Sequence, residues 1–161
     1  MIKRIVVLLA AVLLPVALIF TGCGSKQLTA QEYFDELSAC YKEYSAAFKE
    51  LSPIIEMAND VASAKSNSAK VKDICGRVNK ALSKFEKLNP PSQFSAQQKK
   101  LVTSIANERK FVKAAENLFA ADTLDGLLSA RNELQATQDL PEDQQFLTIF
   151  LQLIKDVKSV L

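Results

Sequence analysis

The chain is 161 residues long, 48% hydrophobic and 24% charged, with a formal net charge of +2 and no histidine or tryptophan. Near-neutral charge with both signs interspersed leaves no electrostatic footprint for nucleic acid and no basic stripe for anionic lipid. The lack of histidine removes the commonest general base and metal ligand, and with them every Ser-His or Cys-His nucleophile arrangement.

The first element in chain order is a leader. Lys3 and Arg4 precede an apolar run from Ile5 to Phe20, which is followed by the small residues Thr21 and Gly22 and then Cys23. That order is a charged region, a hydrophobic region and a small-residue cleavage site. The segment resembles the lipobox of bacterial lipoproteins, departing from it at Phe20, where that family mostly carries Leu. The resemblance implies that the Cys23 thiol receives a diacylglyceryl group and that the chain is cut just before it. Residues 1–22 would then be a signal peptide, 23–28 a lipidated tether and 29–161 the folded domain. By the same resemblance, Gly24 rather than Asp after the cysteine lacks the usual inner-membrane retention signal and permits outer-membrane sorting. The alternative is an uncleaved anchor, since the run of about 16 apolar residues approaches the 17 to 20 of a short membrane span. Either reading keeps Lys3 and Arg4 cytoplasmic and puts the rest on the far side, membrane-anchored and extracytoplasmic. With two or more acyl chains the anchor is long-lived.

Without the leader about 138 residues remain, enough for one domain with a real core. They carry equal numbers of basic and acidic residues and few Gly or Pro, which predicts an all-α fold. Thr29 and Glu32 form a capping box that opens a first helix. Its apolar residues Phe34, Leu37, Tyr41, Tyr44, Phe48, Leu51, Ile55 and Ala58 repeat at alternating spacings of three and four, with a kink or brief break predicted near Pro53. Ser63 to Ser68 reads as the first loop. A second helix follows on Val71, Ile74, Val78, Ala81, Phe85 and Leu88, and Asn89-Pro90-Pro91-Ser92 ends it. Ser95 with Gln98 can cap a third helix, whose face is Leu101, Val102, Ile105, Val112, Ala115 and Phe119. Asp122 or Thr123 opens a shorter fourth helix that ends near Gln138, and Pro141 suits the first turn of a last one. That last helix is apolar over most of its circumference, which suits either a central position or a face shared with a partner. Phe146, Phe150, Leu153 and Val157 are the candidate partner face. The expected architecture is an up-and-down helical bundle of four long or five unequal antiparallel helices.

Glu108 stands where the third helix wants an apolar residue, so it calls for a buried ion pair with Arg131 or Arg77. Tyr33, Tyr41 and Tyr44 are expected in the core with their phenol tips reaching water. Cys40 and Cys75 are a candidate disulfide in an oxidising compartment. In a hairpin turning near residue 66 they stand about 25 Å apart along the helices, against a limit of about 7 Å, so the bridge needs an earlier reversal near residues 53–60. The alternative is two buried, inert thiols. No metal or cofactor is expected, and the chain lacks the motifs of the common enzyme classes.

The segment Leu88 to Phe94, LNPPSQF, between two amphipathic helices is loosely similar to the loop of small helical-bundle envelope lipoproteins, which implies an envelope protein and no substrate. The sequence thus favours a non-enzymatic interaction or adaptor protein, tethered to the membrane and docking on another envelope protein. The alternative is a bundle that holds a small apolar ligand or lipid.

Overall fold

The computed structural model describes residues 26–161. The leader and Cys23, the candidate lipid-attachment site, lie outside the described residues. Five helices follow in order: α1 (Ala30–Glu56), α2 (Val61–Glu86), α3 (Ser95–Ala120), α4 (Leu124–Gln138) and α5 (Phe146–Lys158). Short 3-10 turns at Ser92–Phe94 and Glu142–Gln144 precede α3 and α5. Among the described residues no helix is long and apolar enough to cross a membrane.

The caps explain where the helices start. The Thr29 hydroxyl accepts from the Glu32 amide, and the Glu32 carboxylate accepts from the Thr29 amide. The first reversal falls earlier than the Ser-rich stretch suggests. Asp60 and Ser63 form a second reciprocal capping box, so 63–68 is helix and the turn is residues 57–60. Ser66 and Asn67 bond back to the Ser63 carbonyl instead of breaking the helix. Pro53 is accommodated inside α1, one turn before its end. Ser95 and Gln98 do not cap α3. Gln98 turns inward, and the 3-10 turn leads the chain into the helix instead. Pro141 likewise opens a 3-10 turn, and α5 starts only at Phe146.

The helices pack in sequence, α1 on α2, α2 on α3 and α3 on α4, while α5 packs on both α3 and α1. The last two helices share one position. α4 lies along the C-terminal half of α3, where Glu133 reaches Asn117, and α5 runs beside Ala96, Gln97 and Lys100 at the N-terminal end of α3. Their 15 and 13 residues together slightly exceed the 26 of α3. The fold is thus a four-helix up-and-down bundle whose fourth helix is broken between Gln138 and Phe146.

Buried apolar residues from all five helices form one core. In α1 the fully buried stripe is Tyr33, Leu37, Cys40, Tyr44, Ala47, Leu51 and Ile54, with Ala58 just past the helix end. The row Phe34, Tyr41, Phe48 and Ile55 is only half-buried and flanks it. One end of the bundle is tied by the segment before α1. The Leu28 amide donates to the Asn89 carbonyl at 3.0 Å, and Gln27 donates to the Pro90 carbonyl at 3.1 Å.

Candidate functional site

The break in the fourth helix opens a lateral cleft of about 350 Å³. Tyr41, Tyr44, Ser45, Phe48 and Lys49 contribute from α1, at spacings that put them on one helix face. Glu108 and Phe111 come from α3, Phe146 and Leu147 from the first turn of α5, and Leu140, Gln144 and Gln145 from the break itself. The aromatic rings form a connected wall. Tyr44 packs on Phe48 with centroids 5.6 Å apart and on Phe146 at 4.9 Å, and Phe48 meets Phe111 at 5.5 Å. Tyr41 stacks on Phe150 at 4.5 Å beside them. A second hollow of about 420 Å³ between α1 and α4 shares Phe48, Phe111 and Gln138 with the first and lies beside it.

At the cleft wall the Tyr44 hydroxyl donates to Glu108 Oε1 at 2.6 Å. Burial pushes the Glu108 carboxyl above its ordinary pKa, and the bond from Tyr44 opposes part of that rise. Burial, and then the charge of Glu108, push the Tyr44 phenol well above its usual range, so it remains a neutral donor. Glu108 is the one acidic side chain lining the cleft among the described residues, so the paired carboxylates of acid-base hydrolysis are not assembled there. No group of three or more acidic, cysteine or histidine side chains able to hold a metal occurs among the described residues.

Several expected site residues sit differently. Glu108 does face inward, but among the described residues it forms no ion pair: Arg131 donates to the Ala58 carbonyl just past the end of α1, and Arg77 pairs with Glu50 and Asp73. The helical period gives the face Glu108 occupies but not its neighbour, which is a phenol from α1. The Tyr33 phenol ends on the buried Gln98 and the Tyr44 phenol on the half-buried Glu108, rather than in water. Phe146, Phe150, Leu153 and Val157 are all buried, so they are core and not a partner face. The exposed apolar residues of α5 are Leu147 and Leu151.

Cys40 and Cys75 are both free and buried. Arg77 reaches Glu50 and Lys84 reaches Glu43, which puts Cys75 on the order of ten residues, about 15 Å, from the level of Cys40. The early reversal at residues 57–60 therefore does not bring them together. The Cys75 thiol points to the Val112 carbonyl of α3 at 3.8 Å. Burial raises the Cys40 thiol to about 11 and the Cys75 thiol to about 12.

Fold and site together define a helical-bundle protein with a pre-shaped lateral cleft and a lone carboxyl in its wall. The chain belongs to the family described as Domain of unknown function (DUF7018), which matches residues 27–144. That span holds α1 to α4, with Tyr44, Glu108 and Phe111, and ends before Phe146. No curated protein and no solved structure matches the chain.

Proposed function

We propose that the protein is a non-enzymatic binding module of the cell envelope, tethered by lipid at Cys23, that holds a small and largely apolar molecule in the cleft between α1, α3 and α5. The observation that carries this reading is the cleft. Its volume falls within the range of small-molecule sites, aromatic rings from α1, α3 and α5 form the apolar part of its wall, and one hydrogen-bonding pair, Tyr44 and Glu108, can orient a guest. The tether supports it by analogy with lipobox leaders. Tyr44 lies 14 positions after Ala30, so the cleft would open sideways about 20 Å along the bundle from the anchored end. Ser45 lines the cleft beside Tyr44, and Ser45→Trp would plug it. Saturation-transfer NMR of a small-molecule library against the full chain should give hits that vanish in Ser45→Trp while the helical circular dichroism stays unchanged. Hits indifferent to the plug, or none at all, would remove the cleft as a binding site. The intact mass of protein taken from its native membrane tests the tether, since an unmodified mass spanning Met1 to Leu161 would exclude it.

A second reading, an adaptor that docks on another envelope protein, is favoured by Leu147 and Leu151. These are 46% and 54% exposed and lie one turn apart on α5. Leu151→Glu should abolish a crosslink to such a partner in native envelopes without altering thermal stability. An unchanged crosslink would exclude this face.

A further inference from the structure

Glu108 is a half-buried carboxyl beside the aromatic rings of the cleft, and among the described residues it makes no ion pair, Lys49 being the one basic side chain that lines the same cleft. Only one of its oxygens is engaged, by the neutral Tyr44 hydroxyl. Every arginine that could have paired with it is committed elsewhere. Arg109, its immediate neighbour in sequence, turns to α2 and bonds Asn79, Ser83 and Glu86, while Arg77 and Arg131 are held by Glu50 and by the Ala58 carbonyl. A carboxylate partly removed from water is favoured when something positive reaches it. The free approach to Glu108 is through the cleft, past the rings of Tyr44, Phe48 and Phe111. Ring faces are themselves attractive to cations.

We infer that the ligand of this cleft is a small organic cation, an amine or ammonium group on an apolar body, with Glu108 receiving the charged group and the aromatic wall receiving the body. This rests on reading the cleft as a ligand site and names the chemical class that fits it. A carboxylate ligand is disfavoured by repulsion from Glu108. A neutral ligand with an O–H or N–H group can donate to Glu108, but without the charge that strengthens the bond.

The wall sets the pH behaviour. From α1 the ionisable side chains facing Glu108 are Tyr41, Tyr44 and Lys49, and the break and α5 contribute only uncharged residues, among them Gln144, Gln145 and Phe146. Lys49 is exposed at the rim, and Glu108 is the one carboxyl in the wall among the described residues, so its protonation controls amine binding.

Three probes of one size separate the classes: phenethylamine, 2-phenylethanol and phenylacetate, each titrated calorimetrically into the full chain in mild detergent at neutral pH. Phenethylamine should bind at least about tenfold more tightly than 2-phenylethanol, as a charge-assisted bond predicts, and phenylacetate more weakly than either. Glu108→Gln, which keeps an acceptor for Tyr44, should erase the advantage of the amine and leave the alcohol unchanged. Equal affinity for amine and alcohol, or an advantage that survives in Glu108→Gln, overturns the inference. If that variant does not fold, the wild type decides: acidification should weaken the amine and not the alcohol, and a flat profile for both overturns it. Alcohol binding that Ser45→Trp abolishes, without preference for the amine, would leave the cleft reading standing and end only the cation. Binding of none of the three probes ends the cation inference, and the library screen against Ser45→Trp then separately decides the cleft.

Discussion

The polar chain Tyr33, Gln98 and Phe85 offers the sharpest test of how the end of the bundle where α1 begins is held. Tyr33 is fully buried, and its hydroxyl donates to Gln98 Oε1 at 2.6 Å, while Gln98 Nε2 donates to the Phe85 carbonyl at 2.7 Å. Burial pushes the Tyr33 phenol far above its usual range, so it is a neutral donor throughout. Tyr33→Phe keeps the stack on Phe94 but leaves the Gln98 oxygen as a buried, unsatisfied acceptor. Gln98→Leu does the reverse, stranding the Tyr33 hydroxyl, while the Phe85 carbonyl retains the Leu88 amide. Each single change should cost about 1–3 kcal/mol, the usual penalty for orphaning a buried polar group. The double variant replaces both partners with apolar groups and should cost little more than either single one. The resulting coupling is about 1–2 kcal/mol. In urea unfolding followed by helical circular dichroism, the midpoints should shift at constant slope. For a domain of this length the single variants should lose roughly 4–10 °C in Tm. A Tyr33→Phe protein within about 0.5 kcal/mol of wild type, or a double variant equal to the sum of the singles, would refute the claim that this bond is a closed and satisfied pair.

Three further outcomes follow from individual side chains. Because burial raises the pKa of Glu108 in the folded state, the folded chain holds its proton more tightly than the unfolded chain. Stability should therefore be greatest below about pH 4.3 as far as this group is concerned, and fall as pH rises through the raised value, a slope that Glu108→Gln should flatten in pH-dependent urea melts. Gly76 sits inside α2 with open space where a Cβ would go, so Gly76→Ala should add about 0.5–1 kcal/mol, and a lowered thermal midpoint would contradict that geometry. The buried Cys40 and Cys75 should resist alkylation at pH 8 in the native state and react only at the rate of unfolding; fast labelling of either would contradict their burial.

The helical class and a bundle of four or five helices are legible in the sequence, because helix formers dominate and breakers are few. Helical periodicity also reveals that Glu108 faces inward. What it does not reveal is which neighbour each face meets. In α1 the rows through Tyr33 and through Phe34 are both apolar at heptad spacing, and only the packing of α2 on one side decides that the first is fully buried and the second flanks the cleft. The Ser-rich stretch at residues 63–68 suggests a loop because such side chains compete with the helical backbone. Here Ser63 uses that capacity to cap the helix, which moves the turn to residues 57–60. In α5 a broad apolar arc does not distinguish its inward row from its outward one. The neighbours α1 and α3 take Phe146, Phe150, Leu153 and Val157 and leave Leu147 and Leu151 outside.

The break in the fourth helix is what makes a site out of a bundle. An unbroken helix from Leu124 to Lys158 would lay side chains along Tyr41, Phe48 and Phe111, fill the cleft and leave Glu108 with no route to solvent or ligand. Residues 139–145 withdraw the backbone from that position, and hydrogen bonds within the segment hold it there. Gln145 donates to the Leu140 carbonyl at 2.8 Å, and the Gln144 amide donates to the Pro141 carbonyl at 2.9 Å. Asn107 of α3, next to Glu108, reaches the Gln144 carbonyl at 3.5 Å. The break is therefore a built connection rather than an unravelled helix, and a ligand entering the cleft would not have to order it first. Preorganisation of that kind lowers the entropic cost of binding, which matters most for a small guest with few contacts to offer. The same geometry accounts for the raised pKa of Glu108. The aromatic walls dry the carboxyl, and the absent fourth-helix side chain is the vacancy through which a positive group can reach it.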